Sequence, residues 1–230
     1  MKTHLKKFND ILLSKNVKNN FYDCFNSNDK FKTWLLKILP EIEDCRQQTQ
    51  NSPWHIYNVL DHILVSIEEI NKLSTTFNKE DKRLLSYVML LHDMGKPENH
   101  IKVDRNGLKL DTFPNHQVAS EKIASRVLKE FKFNKNEIMV IKKLVEQHDY
   151  FMHTFKNELF SIERFMKEAE NNIINFNKIG DGHKINQMLI VVGLADNKAQ
   201  NPLLTKTSIE IINRYANATD KLKPSNLLLA

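Results

Sequence analysis

Glycine and proline are both scarce, five and six in 230 residues. Long stretches contain neither, which argues against a many-turned β fold and for helices. Cys24 and Cys45 are the only cysteines; their spacing is not that of a metal knuckle, and they read as free thiols of a cytoplasmic protein. No run approaches the roughly 18–20 apolar residues of a membrane span. The opening MKTHLKKFND lacks the apolar block of a signal peptide, so no membrane partner is expected. Internal repeats, low-complexity tracts and Pro/Gly linkers are missing too.

What is present has the bulk balance of a globular domain, with 41% hydrophobic and 27% charged residues, enough to bury roughly 70% of the unfolded surface. The charge is uneven. Of the net +6, +5 falls in residues 1–40, where eight lysines meet three aspartates. Such a basic region can contact RNA or other phosphates electrostatically. The plainer reading is a solvated face, favoured because the lysines are dispersed and no arginine joins them.

Hydrophobic periodicity predicts helices over 2–14 and 28–39, then a polar loop over 41–51. Ser52 as N-cap and Pro53 in the first turn predict a helix running to about Leu73. Asn78, with Glu80 and Asp81 behind it, predicts another that stops near Gly95. Asn106-Gly107 between short alternating runs predicts a small β-hairpin within 101–110. Helices follow over 115–131, 134–147 (Asn134 and Glu137 in capping-box spacing), 161–177, 183–199 and 206–220. The expected fold is a single all-α domain.

Six ionisable residues break the apolar faces of five of these helices: His62, His92, Asp93, His116, His148 and Asp196. Taken singly, each has a plain explanation as a hydrogen-bonded core histidine or a capping aspartate. Burying all six separately would carry a large desolvation cost, which a shared divalent cation removes. Nitrogen and oxygen ligands without sulfur suit Mn, Fe, Co, Ni, Zn or Mg. The C-terminal end of a helix, where His92 and Asp93 lie, also favours a cation.

His62, then His92-Asp93, then Asp196 in this order resembles the H…HD…D signature of the HD-domain metal-dependent phosphohydrolase superfamily. LLHDMGKP is similar to the wording around that doublet. HIYNVLDHIL (55–64), FPNHQVAS (113–120), LVEQHDY (144–150) and LADNKAQN resemble the branch related to the HD portion of bacterial CCA-adding enzymes. The resemblance covers about 45–200, so the expected organisation is an N-terminal helical extension (1–44), an HD-type helical bundle core (45–205), and a C-terminal helix and tail (206–230).

The resemblance implies that His62, His92, Asp93 and Asp196 hold one metal. His116 and His148 would hold a second, with Asp93 bridging, or would line a phosphate pocket. The lack of a further carboxylate nearby favours a single tightly held ion; Asp149 is a weak candidate to replace or support His148. Lys96 would meet a phosphate oxygen as a point charge, or else is a plain helix-end lysine. His55, two turns before His62 on the expected helix, would support the ligands from behind or simply pack. His4, His100, His153 and His183 read as surface or loop residues.

The expected function is a metal-dependent phosphohydrolase acting on a nucleotide, or on a terminal or 2′,3′-cyclic phosphate of a small nucleic acid. Its partner would be a phosphorylated small molecule or nucleotide. The alternative is an RNA-binding HD-type module with a mainly structural metal, using the basic N-terminal region. A third reading, a dimerising scaffold, would use the amphipathic ends at 1–40 and 206–229.

Overall fold

The computed structural model describes residues 2–156 and 160–222. Among these are twelve α-helices and one two-stranded sheet, so the expected all-α class holds. None of the helices is long and apolar enough to cross a membrane. The tail expected beyond residue 222 lies outside the described residues.

Four short helices come first: α1 (Lys2–Leu12), α2 (Val17–Ser27), α3 (Asp29–Ile38) and α4 (Glu41–Gln47). The sequence reading overlooked α2, although Val17, Phe21, Cys24 and Phe25 recur at helical spacing and are buried. It also took α4 for a loop. Glu41, Glu43 and Asp44 in its first turn favour the helix N-terminus, and Ile42 and Cys45 are buried on one face. Phe8, Phe21, Phe25, Phe31 and Leu35 from this segment join the same hydrophobic cluster as the later helices. Several of its lysines pair locally, Lys18 with Asp61 at 2.7 Å and Lys32 with Glu43 at 3.5 Å.

Helix α5 (Val59–Leu73) starts six residues later than the Ser52-Pro53 signal predicts. Two cap signals compete, and the second prevails: Asn58 accepts a hydrogen bond from the Asp61 amide at 2.7 Å, while Ser52 closes a turn through the Trp54 amide at 3.2 Å. Ile56, which the earlier start would have placed on the helix's apolar face, is 55% exposed.

Helix α6 (Lys79–Leu91) begins at the expected Asn78 cap. From Leu84 through Lys96 every residue is buried, which places the end of this segment in the middle of the molecule. Fully burying each of its leucines, valines or methionines stabilises the fold by about 1.5–3 kcal/mol. The apolar run thus anchors the polar residues that follow it.

The hairpin forms as strands β1 (Ile101–Arg105) and β2 (Leu108–Thr112), antiparallel, with Ile101 opposite Thr112. Asn106 and Gly107 both take positive φ, 56° and 82°, the pairing that a two-residue turn of matching twist requires. The hairpin is tied to the loop before α5, since the Asp111 amide donates to the Asn51 carbonyl at 2.9 Å and the Asn51 amide donates to the Asp111 carboxylate at 2.6 Å.

Next come α7 (His116–Val127), α8 (Lys135–Glu146), the overlooked α9 (Tyr150–Phe155), α10 (Ile162–Phe176), α11 (Gly182–Lys198) and α12 (Lys206–Asp220). The Asn134–Glu137 capping box is present on α8. Helix α5 lies between α6 and α11, α7 pairs with α8, and α10, α11 and α12 pack together.

Gly95 does not cap a helix; it lets α7 approach. A Cβ there would stand 2.5 Å from the His116 carbonyl oxygen and 2.6 Å from both Ala119 Cβ and Ser120 N. The Gly95 amide donates to Ser120 Oγ at 2.9 Å. Substitution Gly95→Ala should therefore push α7 outward, lowering stability by about 3 kcal/mol. Denaturant titration measures this, and an unchanged midpoint would refute the close-approach argument.

Candidate metal centre

Five helices deliver the six residues to one place. His62 sits in α5, His92 and Asp93 directly follow α6, His116 opens α7, His148 lies just past α8, and Asp196 is in the last turns of α11. His62, His92, Asp93, His148 and Asp196 are all at most 4% exposed, and the His116 side chain is 12% exposed.

The four imidazoles are held in one orientation. His92, His116 and His148 each donate Nδ1–H to the carbonyl three residues back, of Met89 (2.7 Å), Phe113 (2.8 Å) and Val145 (2.8 Å). His62 Nδ1 donates to the Ala199 carbonyl at 3.3 Å. A carbonyl only accepts, so Nδ1 carries the proton in each ring and Nε2 points inward.

These inward atoms form two groups around Asp93. In the first, His62 Nε2 is 2.9 Å from Asp196 Oδ1 and 3.4 Å from Asp93 Oδ2. His92 Nε2 is 3.3 Å from His62 Nε2, 3.3 Å from Asp93 Oδ2 and 3.5 Å from Asp196 Oδ1. In the second, His116 Nε2 lies 3.1 Å from His148 Nε2 and 3.2 Å from Asp93 Oδ1, and His148 Nε2 is 3.7 Å from that oxygen. Two lone pairs facing each other at such distances repel unless a cation or proton lies between them.

The donors fit a divalent ion. Ligands about 2.1 Å from one ion stand about 3.0 Å apart at right angles and about 3.4 Å apart at tetrahedral angles. The separations within both groups fall around these values. Both Asp93 oxygens are buried without a well-directed hydrogen bond, the condition a bridging carboxylate would leave when its ions are absent.

Without an ion, the charge of Asp93 is met in two ways. Lys96 Nζ stands 2.6 Å from Oδ2 and donates to Gln50 Oε1 at 2.8 Å. Lys96 is only 5% exposed, so it is not a solvated helix-end lysine. His92 is the second compensating charge. Burial would lower its pKa, but Asp93 and Asp196 outweigh that and push it up to about 10. Burial would likewise raise Asp93, yet His92 and Lys96 hold it well below the usual carboxylate range. Asp196 is also held low, against burial, by hydrogen bonds from His62 and His92.

Sequence reasoning missed several neighbours. Gln200 donates to Asp196 Oδ2 at 3.1 Å, and its i+4 spacing from Asp196 was the available signal. Gln50 had none. His55 lies in the turn before α5, not on the helix as expected, but its ring still meets His62 edge-on at 5.6 Å. Its Nδ1 is buried without a partner, and burial, then Lys96 and His62, drive its pKa down to about 2. The premise that no further carboxylate lies near His116 and His148 is overturned, since Asp149 Oδ2 is 3.5 and 3.4 Å from their Nε2 atoms. His100 pairs with Asp111 at 2.8 Å beside the hairpin, and His153 is 72% exposed.

A cavity of about 220 Å³ opens onto the cluster, lined by Asp93, His116, His148, Asp149, Asp196, Lys96 and His55, with Trp54, Phe113 and Met152 among its apolar wall.

Residues 55–199, more than half of the chain, match the HD domain. The chain belongs to the HD domain family. HD domains bind divalent metals and are generally metal-dependent hydrolases, in keeping with the donor set above. The match lends nothing to the narrower likeness to CCA-adding enzymes. A search of curated proteins returned no match.

The raised His92 pKa has a consequence for the metal-free protein. A group whose folded pKa exceeds its unfolded value of about 6.5 contributes stability that is complete below that value and is lost as pH rises through about 10. Chelator-treated protein should melt at progressively lower temperature from pH 7 to pH 10. Metal displaces this proton, so the gap between metal-loaded and metal-free melting temperatures should widen over the same range. A gap independent of pH would refute the assignment.

Proposed function

We propose that this HD domain is a phosphohydrolase acting on a nucleotide, or on a terminal or 2′,3′-cyclic phosphate of a small nucleic acid. The observation that carries this reading is the Asp93 carboxylate, whose two oxygens face two separate pairs of imidazoles at the floor of a cavity. His62, His92, Asp93 and Asp196 would hold a divalent ion. When bound, such an ion lowers the pKa of water toward neutrality and neutralises phosphoryl oxygens.

The protein's own residues supply positioning and charge. Lys96 lines the cavity beside Asp93 and presents an ammonium to a phosphate oxygen, with Gln50 fixing its position. His55, kept neutral, adds no charge to the site and offers a hydrogen bond from its otherwise unpartnered Nδ1 edge. Trp54, Phe113 and Met152 give the cavity an apolar wall that limits water access.

Cavity size supports a small or terminal phosphate. At about 220 Å³ it falls below the roughly 300–1,000 Å³ of sites that enclose a whole drug-sized ligand. A phosphoryl group and its adjoining sugar suit that space, with the remainder of the substrate at the mouth. The RNA-binding alternative has less support, because Phe8, Phe21 and Phe25 of the basic region are core residues and do not form a stacking surface.

Two tests follow. Metal analysis of the purified protein, followed by an activity screen over nucleotides, 2′,3′-cyclic nucleotides and an aryl phosphate, should find bound transition metal and hydrolysis of at least one substrate. Asp93→Ala should lose both, and retained metal in that variant would refute the role of the doublet. Lys96→Met should keep its metal but lose about 10–100-fold in kcat/KM, the worth of one charge-assisted contact. Its metal-free form should also be destabilised by about 3 kcal/mol, since a buried carboxylate loses a partner, and metal should restore the melting temperature. Wild-type kinetics on every substrate would sink the phosphate role.

A further inference from the structure

Asp149 has no part in the reading above, yet its carboxylate faces the same cavity. We propose that Asp149 is a ligand in its own right, closing a second cation site formed with His116 and His148 and sharing Asp93 with the first. The proposal rests on the metal-dependent reading, and it adds a residue that the H…HD…D pattern does not contain.

The two halves of the cluster are near mirror images. In the first, Asp196 Oδ1 lies 2.9 and 3.5 Å from the Nε2 atoms of His62 and His92. In the second, Asp149 Oδ2 lies 3.4 and 3.5 Å from those of His148 and His116. Each half then has two imidazole nitrogens, one carboxylate of its own, and one oxygen of Asp93. On the second side that oxygen, Oδ1, is buried and, although 3.2 Å from His116 Nε2, makes no well-directed hydrogen bond.

Asp149 is also free for the role. It stands at the N-cap position of α9, where an aspartate usually accepts from the helix amides, but it makes no such bond. Among the described residues its outer neighbour is His153, 3.9 Å away and itself 72% exposed, a contact that solvent screens. Charge favours the same assignment. With the Lys96 ammonium counted, two divalent ions against only Asp93 and Asp196 would leave three unneutralised positive charges, whereas a third carboxylate leaves two. That residue of charge is enough to attract a phosphate without making the second ion costly to hold.

The test strips the full-length protein with chelator, reloads it with Mn²⁺, counts ions by elemental analysis and follows binding by calorimetry and electron paramagnetic resonance. Wild type should bind two ions that are magnetically coupled. Asp149→Asn, which keeps the side chain's shape, should retain one uncoupled ion and weaken the second at least 100-fold, more than loss of an outer-shell partner usually costs. Asp149→Ser serves the same purpose if the asparagine variant departs from wild type by circular dichroism. Two ions of unchanged affinity in the variant, or a single ion in wild type, overturns the role of Asp149 and leaves the metal-dependent reading standing. No bound ion in wild type overturns both.

Discussion

The rest of the structure answers to one carboxylate. Asp93 is 1% exposed, and an ionised group so placed carries a desolvation penalty of several kcal/mol unless charge surrounds it. The fold supplies that charge from Lys96, in the turn that follows Asp93, and from His92 beside it. His62, His116 and His148 bring ring nitrogens to the same carboxylate from α5, α7 and the end of α8. The uninterrupted burial from Leu84 to Lys96 fixes where Asp93 sits. Gly95 then lets α7 come close enough for His116 to reach it.

Precision at the cluster comes from a local device used three times. His92, His116 and His148 all stand at helix ends, where a ring can bond the carbonyl three residues behind it. Each such bond removes rotational freedom and fixes the tautomer before any ligand arrives, which is how second-sphere carbonyls tune imidazole ligands in general. For His92 and His148 the carbonyl lies in the last turn of α6 or α8, where carbonyls lack amide partners within the helix, whereas His116 uses the Phe113 carbonyl just ahead of α7.

This device explains what the sequence could and could not reveal. An ionisable residue set in a 3.6-residue apolar period is visible in one dimension, so His62, His92, Asp93, His148 and Asp196 stood out before any coordinates. His116 stood out as the first residue of a predicted helix. Asp149 was legible only as a weak candidate beside His148, because no apolar period marks its position past the end of α8. Gln50 and the Phe113 wall reach the site only through the pairing of the hairpin with the loop before α5, a long-range contact that no local pattern encodes. The late start of α5 was missed for a different reason. Two cap signals were present, and nothing local ranks Asn58 above Ser52.

Metal-free and metal-loaded proteins meet the same electrostatic requirement by different means. In the first, a proton on His92 and the Lys96 ammonium neutralise Asp93. In the second, an ion would replace that proton. Because the imidazole rings are held by backbone carbonyls and not by one another, this exchange requires little movement. The ordering cost of building the site is thus met by folding and not by ligand binding, which leaves the binding energy of an ion or a phosphate to be expressed as affinity. Under the proposed function Lys96 would serve twice: it is the counter-charge of Asp93 in the structure, and with an ion taking over that duty its ammonium would be available to a phosphate in the cavity it already lines.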